Sequence, residues 1–547
     1  MAFHYGEVLT RVFAALPAEA PAVVEVGAGR DRSLSWGELD RFSNRLARAL
    51  LARGLAPGDT LALCMANRLE YVIALVALLK ARLVHVNVNF RYRSAELHHV
   101  LDHSDAAGVI YDSPRGGEMA AIAGALTKVR LFLEVGEGAQ PQVPGALAFA
   151  RLLAEGDTAP LNPGWDGDDL WFIYTGGTTG YPKAVMIRQD VLFRSQGQNS
   201  IFTTYGAPPA SLEEHLARVA EHQQPPRRIL VCAPLMHAVG LYSTLFPLSY
   251  GVGVVLMAGA HFDPLAVLDA VARYAITRFA IVGDAMGVPL VEALRAHPGR
   301  WHLEGLEGIS SAGMALSRDT KRGLLEALPS LSISDGLGAS ESPGMAFQVV
   351  TRENLDAAAD ATLALPPTCK VLRGDLSGEV TPGSGEVGLF AKCGLLAEGY
   401  YKDPEATAKT FPVIAGTRYV VPGDWAEVLA DGRVRFLGRG ALCLNSGGEK
   451  VYVEEVEAAV RTHRDVADVA VVGVPDPRLG QAVTAVVALH GGAPLDAEGI
   501  RARVREQLAG YKVPRHVVAV TAVARLATGK TDYRANREAA LAALGLD

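Results

Sequence analysis

The sequence predicts an α/β protein: a large N-terminal multi-subdomain α/β domain, made of doubly wound sheets plus a small β subdomain, followed by a smaller α+β C-terminal domain. Three observations predict it. Helix-length periodic stretches alternate with short apolar runs from Leu34 onward, the pattern of parallel sheets covered by helices. After about Gly394 the texture changes to short strands and turns, and from Val451 it reads helix, strand, strand, helix, strand. Finally, 547 residues exceed one hydrophobic core, since domains run to about 100–200 residues each.

Along the chain, residues 36–53 and 70–81 read as helices and 60–64 and 83–87 as strands. Residues 136–144 and 155–164 are polar, Gly/Pro-rich loops within the large domain. The apolar run 170–174 reads as a buried strand. Further strands are expected at 228–232, 253–257 and 279–282, and helices at 264–274 and 288–296. A hairpin is expected where 426–429 and 434–437 flank Asp431-Gly432. The division into domains is placed at 1–438 and 439–547.

Composition narrows the function. Hydrophobic residues make up 49% and charged residues 20%, so a packed globular chain is expected rather than a disordered one. A net charge of -7 argues against general nucleic-acid binding. Cys64, Cys232, Cys369, Cys393 and Cys443 show no CxxC spacing, which points to a reducing cytoplasm and away from structural zinc. No basic-then-apolar leader opens the chain, and no apolar run approaches the ~20 residues of a spanning helix. Peripheral membrane contact stays open, as does a homodimer.

The most informative segment follows the strand at 170–174: Thr175, Gly176, Gly177, Thr178, Thr179 and Gly180, then Lys183. Glycines let backbone amides approach a ligand, the threonines bring hydroxyl donors and the lysine a cation, which together suit phosphate. It is not a Walker A loop, because Tyr181 and Pro182 separate Gly180 from Lys183. Further on come Pro234-Leu235-Met236-His237, Ser311-Ala312-Gly313, Asp335-Gly336-Leu337-Gly338-Ala339-Ser340-Glu341, Gly399 to Thr407, Gly423-Asp424, Gly438-Arg439, Gly447-Gly448-Glu449-Lys450 and Thr528-Gly529-Lys530. Taken singly, most have a bland reading: a lone histidine is more often structural, and a Gly-Asp pair is more often a turn.

In this order the segments resemble the adenylate-forming acyl-CoA synthetases, adenylation domains and luciferases, over nearly the whole chain. The resemblance implies a mobile C-terminal domain, ATP and Mg2+ as requirements and CoA as co-substrate. It assigns phosphate to the loop Thr175–Gly180 and Lys183, and the adenine floor to Ser311, Ala312 and Gly313. Asp335, Gly336, Leu337 and Gly338 would lie at the adenine, and Ser340 at a phosphate. Glu341 would hold magnesium, Asp424 the ribose hydroxyls, and Arg439 ribose or α-phosphate. His237 would stand beside the acyl and phosphate sites, Gly447 and Gly448 would open the mobile domain, and Lys530 would reach the carboxylate and α-phosphate. The chain departs from the family at Ser340, usually Thr; at Leu337, usually aromatic; at Ala184, often Gly; and at the hinge residue Ala441.

Among these enzymes the chain looks most like bacterial ligases for fatty acids and steroid-derived acids. Val239, Gly240, Leu241, Ala285, Met286, Gly313 and Met345 are the expected apolar wall, although such residues equally suit a core. Asp284 reads either as a structural carboxylate or as a substrate contact. The alternative is a stand-alone adenylating enzyme that loads an acyl or amino acid onto a carrier protein.

Overall fold

The buried strands follow from continuous apolar runs. Thr60–Cys64, Val84–Asn87 and Ala106–Asp112 are buried along their whole length, as parallel strands covered on both faces must be. With Leu131–Val135 and Leu147–Ala148 they form a five-stranded parallel sheet. The computed structural model describes residues 2–27, 29–136, 141–175, 182–196, 207–221, 227–259, 261–313, 316–355, 362–439, 443–525 and 531–546.

A second sheet runs, edge to edge, Ser342–Val350, Ser332–Ala339, Gly308–Ser311, Arg278–Ile281, Arg228–Val231, Gly253–Met257, Pro21–Val26 and Arg32–Ser35. Its inner six strands are parallel and its two edge strands antiparallel. The expected strands at 228–232, 253–257 and 279–282 fall here within a residue at each end. The helix Leu69–Lys80 is buried at every residue except Glu70. Apolar all round, it suits a place inside the core. Lys80 at its end is fully buried, and its ammonium is held by Asp40 (2.6 Å), Ser43 (2.9 Å) and Asn44 (2.7 Å). That satisfies a charge which would otherwise be prohibitive inside a core.

One expected strand has an unforeseen partner, and one expected helix is corrected. The strand Leu170–Thr175 is buried as anticipated but joins neither large sheet; it pairs antiparallel with Lys183–Arg188, which pairs in turn with Gly399–Tyr400. The helix expected from 288 begins at Gly283 and runs to Ala296 through Pro289. A proline suits a helix start, but here it sits inside and forfeits the bond to the carbonyl four residues back. The hairpin around Asp431-Gly432 is present, as Asp424–Val428 paired with Val434–Arg439. It belongs to a separate antiparallel sheet with Val387–Cys393 at its centre.

The small domain carries the expected helix Val453–Arg461, strands Val466–Asp476 and Gly480–Leu489, helix Ala497–Gln507 and strand His516–Val520. An antiparallel hairpin, Cys443–Ser446 with Glu449–Tyr452, precedes them, and the helix Tyr533–Leu544 follows. Among the described residues no helix is long and apolar enough to cross a membrane.

Two buried asparagines tie the sheets together. Asn67, just past Thr60–Cys64, donates to the carbonyls of Ala233 (3.1 Å) and Met257 (3.2 Å) and accepts from the Leu235 amide (2.7 Å). Asn87 donates to the carbonyls of Met236 (2.7 Å) and Tyr174 (3.1 Å) and accepts from the Tyr174 amide (2.7 Å). His85, in the same strand as Asn87, bonds the Phe172 carbonyl through Nδ1 (3.1 Å) and stacks on Trp171.

Asn87→Ala strands three backbone groups and should lower unfolding free energy by about 2–3 kcal/mol, measurable by urea denaturation. Burial pushes the His85 imidazole down to about 3, opposed by its bond to Phe172. It therefore folds neutral, and its contribution is complete above the ordinary value of 6.5 and lost progressively below it. Denaturation at stepped pH should show this loss as about 1.4 kcal/mol per pH unit at most, and His85→Gln should flatten that slope.

Candidate active site

The strand Arg228–Val231 has Gly253–Met257 on one side and Arg278–Ile281 on the other, while the chain visits them in the order 228, 253, 278. That reversal is a topological switch point, and crevices form beyond the C-terminal strand ends at such points. The segment leaving this strand, residues 232–237, is the one pinned by Asn67 and Asn87, with the Tyr71 hydroxyl also on the Leu235 carbonyl (3.2 Å). It ends at His237, which caps the buried helix Ala238–Ser249. Gly240 lies in its first turn because a Cβ there would stand 2.3 Å from the Pro234 carbonyl oxygen.

Two adjoining clefts open around His237. The first is lined by Thr175, His237, Val239, Ala312, Gly313, Gly338 and Ser340 of the large domain, and closed by Gly448, Glu449 and Lys450 of the small one. The second is lined by Cys232, Met257, Ala285 and Met286, and shares His237, Gly448 and Glu449 with the first; Gly447 borders only the second. The expected apolar wall is thus divided: Val239 and Gly313 face one cleft and Ala285 and Met286 the other. Leu241 and Met345 are core residues with no exposure.

Sequence-predicted residues therefore converge here from separate elements: Thr175 from the end of an antiparallel strand, His237 from the switch-point segment, and Ala312 and Gly313 from just past Gly308–Ser311. Gly338 and Ser340 come from the end of Ser332–Ala339 and the turn after it. Ser311 is fully buried, and Asp335 is engaged by the Lys321 ammonium at 2.6 Å; neither Ser311, Asp335 nor Gly336 lines either cleft. Asp424, 6% exposed, faces Arg439 across the hairpin register. Gly176, Gly177, Thr178, Thr179, Gly180, Ala441 and Lys530 lie outside the described residues, as do the side chains of Leu337 and Arg439.

The electrostatics concentrate on two clusters. Lys183 pairs with Asp403 (2.7 Å) and lies 5.7 Å from the centre of the Tyr400 ring. The Tyr400 hydroxyl donates to Glu341 (2.6 Å), which is 5% exposed between the cleft residues Ser340 and Gly344. The hydrogen bond from Lys183 holds the Asp403 carboxyl below its usual range. In the second cluster Glu449 meets Arg91 (2.5 Å) and His237 (3.0 Å). Burial alone would raise the Glu449 carboxyl, but His237, Arg91 and Lys512 together hold it below its usual range.

Tyr400 and Asp403 lie in the motif segment 399–407, where no charge pattern singled them out. Arg91 carries no local signal, since its partner is 358 residues away. Asp284 has a structural partner: its Oδ1 accepts from the Ser317 amide (3.0 Å) and hydroxyl (3.1 Å) at the start of the helix Arg318–Ala327.

Comparisons with known proteins agree in scale with this arrangement. The family model for AMP-binding enzymes matches residues 10–401, and that for the AMP-binding enzyme C-terminal domain matches residues 455–530. The medium-chain acyl-CoA ligase Mig of Mycobacterium avium is 36% identical, with 96% of this chain and 98% of that protein covered. The medium/long-chain-fatty-acid–CoA/3-oxocholest-4-en-26-oate–CoA ligase of Mycobacterium marinum is 37% identical, covering 93% and 92%. The 3-oxocholest-4-en-26-oate–CoA ligase of Rhodococcus rhodochrous is 34% identical, covering 93% and 91%. Among solved structures, the amide bond synthetase McbA of Marinactinospora thermotolerans superposes with a TM-score of 0.80 at 24% identity, over 98% of this chain and 99% of that one, a likeness of fold.

The contribution of Glu449 to stability is complete above its ordinary value of 4.5 and disappears as pH falls through its lowered folded-state value. Glu449→Gln should therefore cost about 1–3 kcal/mol near neutral pH, and the cost should shrink below about pH 4.5. Thermal unfolding of both proteins across that range measures it.

Proposed function

The chain belongs to the family of AMP-binding enzymes, and on that premise we propose that it is an ATP-dependent acyl-CoA ligase for hydrophobic carboxylic acids, fatty or steroid-derived. It adenylates the acid, transfers the acyl group to CoA, and releases AMP and pyrophosphate. The observation that carries this reading is the meeting, in one cleft, of Thr175 from the phosphate-loop segment, an apolar wall of Val239, Ala312 and Gly313, and the small-domain turn Gly448–Lys450. The division at 1–438 and 439–547 is part of the same proposal.

In the first step the acid's carboxylate attacks the α-phosphorus of ATP and pyrophosphate leaves. Negative charge grows on the transferring phosphoryl oxygens, and fixed donors aimed at it lower the barrier. The loop Thr175–Gly180 would give backbone and hydroxyl donors, Lys183 a cation once released from Asp403, and Lys530 a cation toward the α-phosphate and carboxylate. Asp424 would accept from the ribose hydroxyls, with Arg439 beside it; Asp335, the residue expected at the adenine amino group, is paired with Lys321 and lines neither cleft. Glu341 is a buried carboxylate oriented by Tyr400, the hard oxygen donor that Mg2+ carried on a triphosphate would take. That ion would neutralise charge on the leaving pyrophosphate.

In the second step the CoA thiol attacks the mixed anhydride, with AMP as leaving group. A pocket on the small domain is lined by Arg501, Arg505 and Arg515 against a single carboxylate, Glu498, which pairs with the first two, and Tyr511 there also borders the main cleft. One CoA could rest its phosphates there and reach inward. We place the enzyme in the cytoplasm, in keeping with its scattered free cysteines, and the chemistry needs only one copy of the chain. Loading of a carrier protein is the second reading; Asp284, the acidic residue beside the expected pocket wall, has one carboxylate oxygen bonded to the Ser317 amide and hydroxyl.

Mass spectrometry of products from Mg-ATP with fatty, aromatic, amino and steroid-derived acids, each with and without CoA, tests the proposal. Acyl-CoA and AMP that appear only with CoA, for fatty or steroid acids, are expected; acyl-adenylate without thioester would favour carrier loading. Lys530→Ala should slow adenylation about a hundredfold, while thioester formation from supplied acyl-adenylate persists. Equal loss in both half-reactions would refute the role given to Lys530.

A further inference from the structure

Where the two domains meet, Lys512 of the small domain is buried between two carboxylates. Its Nζ lies 2.7 Å from Glu96 of the large domain and 2.8 Å from Glu455 of its own, with all three side chains at most 8% exposed. Each glutamate divides its two oxygens. Glu96 accepts from the Arg93 amide (3.0 Å) at the start of the helix Ser94–His103, and Glu455 from the Tyr452 amide (3.3 Å) at the start of Val453–Arg461. The second oxygen of each faces Lys512. One ammonium thus joins the first turns of two helices from different domains. Tyr92 of the large domain and Tyr511 of the small domain lie around it, with ring centres 5.1 and 5.7 Å from Nζ. Asn89 of the large domain donates to the Tyr511 hydroxyl at 3.3 Å.

The partners are unequally placed. If the small domain swings away, Lys512 keeps Glu455, which travels with it, whereas Glu96 loses its only described cation. The Glu96–Lys512 pair therefore exists only while the small domain is docked, and the contact favours that arrangement specifically. In that arrangement Gly448–Lys450 closes the cleft, while Arg525 and Thr531, which flank the segment of Lys530, do not line it. The hairpin is in place and the flanks of the adenylation lysine are not.

We propose that Lys512 is a positioning residue for thioester formation, latching the small domain to Glu96 in the arrangement that serves the second half-reaction. This rests on the two-step ligase reading above. The latch holds Glu449 against His237 and Arg91 while CoA reacts, and its opening at Glu96 frees the small domain for the next adenylation.

Glu96→Gln is the direct test, because the amide oxygen preserves the bond to Arg93 and the Lys512–Glu455 pair is untouched. Two half-reactions are measured separately: ATP–pyrophosphate exchange, and single-turnover thioester formation from purified acyl-adenylate and CoA. We expect exchange to stay within about twofold and the thioester step to slow about tenfold, the factor that corresponds to a modest weakening of one buried ion pair. Hydrogen exchange of the free proteins is the second readout: amides of 94–97 and 447–456 should exchange about tenfold faster in the variant, with the sheets unchanged. Equal loss in both half-reactions, no loss in either, or unchanged hydrogen exchange would overturn the latch. If the wild type forms no thioester from any acid, the ligase reading fails, and hydrogen exchange alone still decides whether Glu96 and Lys512 hold the domains together.

Discussion

The site depends first on a hydrogen-bonding constraint: two buried asparagines fix the backbone of 233–236 and the strand that leads to the phosphate-loop segment. Asn67 and Asn87 sit at the ends of neighbouring parallel strands in one sheet and bond to segments leaving the other sheet and the strand Leu170–Thr175. Loops at strand ends carry unpaired carbonyls and amides, and a buried loop is tolerated only if these find partners. Here the partners are side-chain amides, which offer donors and an acceptor together. Three separately built sheets thereby acquire a fixed relation at the point where Thr175, His237 and Gly313 must share one cleft.

Upon this rigid floor the charges are placed economically. Glu449, at the tip of a small-domain hairpin, meets Arg91 and His237 of the large domain, so one carboxylate both docks a domain and fixes an imidazole at the cleft. Lys512 repeats the device with carboxylates on both sides. On the opposite wall Lys183, Asp403, Tyr400 and Glu341 form a connected series. An arriving triphosphate would compete with Asp403 for the lysine while Tyr400 keeps the glutamate oriented.

Much of the scaffold was legible because its strands are unbroken apolar runs: Thr60–Cys64 and Gly253–Met257 occur at the expected residues. The helix at Gly283 was shortened in the reading because Pro289 resembles a helix start. The helix Tyr533–Leu544 was missed because its apolar side chains are mostly alanine and only Asn536 and Ala540 are buried in it. The site was legible as a set of segments, since phosphate and adenylate chemistry restricts residue type locally. Arg91, Asn67, Asn87 and the pairing of Lys512 with Glu96 were not, because each acts through partners distant in sequence.

The sequence by itself determined the α/β architecture, the Gly/Thr-rich segment proposed for phosphate and the order of the motif residues, since hydrophobic period and residue chemistry are local properties. Only the tertiary structure decided which of those residues share a cleft, that Asp284 bonds to a helix start, and that the apolar wall is divided between two clefts. It also decided that the small domain is held by buried ion pairs across the domain boundary. Burial and pairing arise from the packing of distant segments, and no local pattern of residues encodes them.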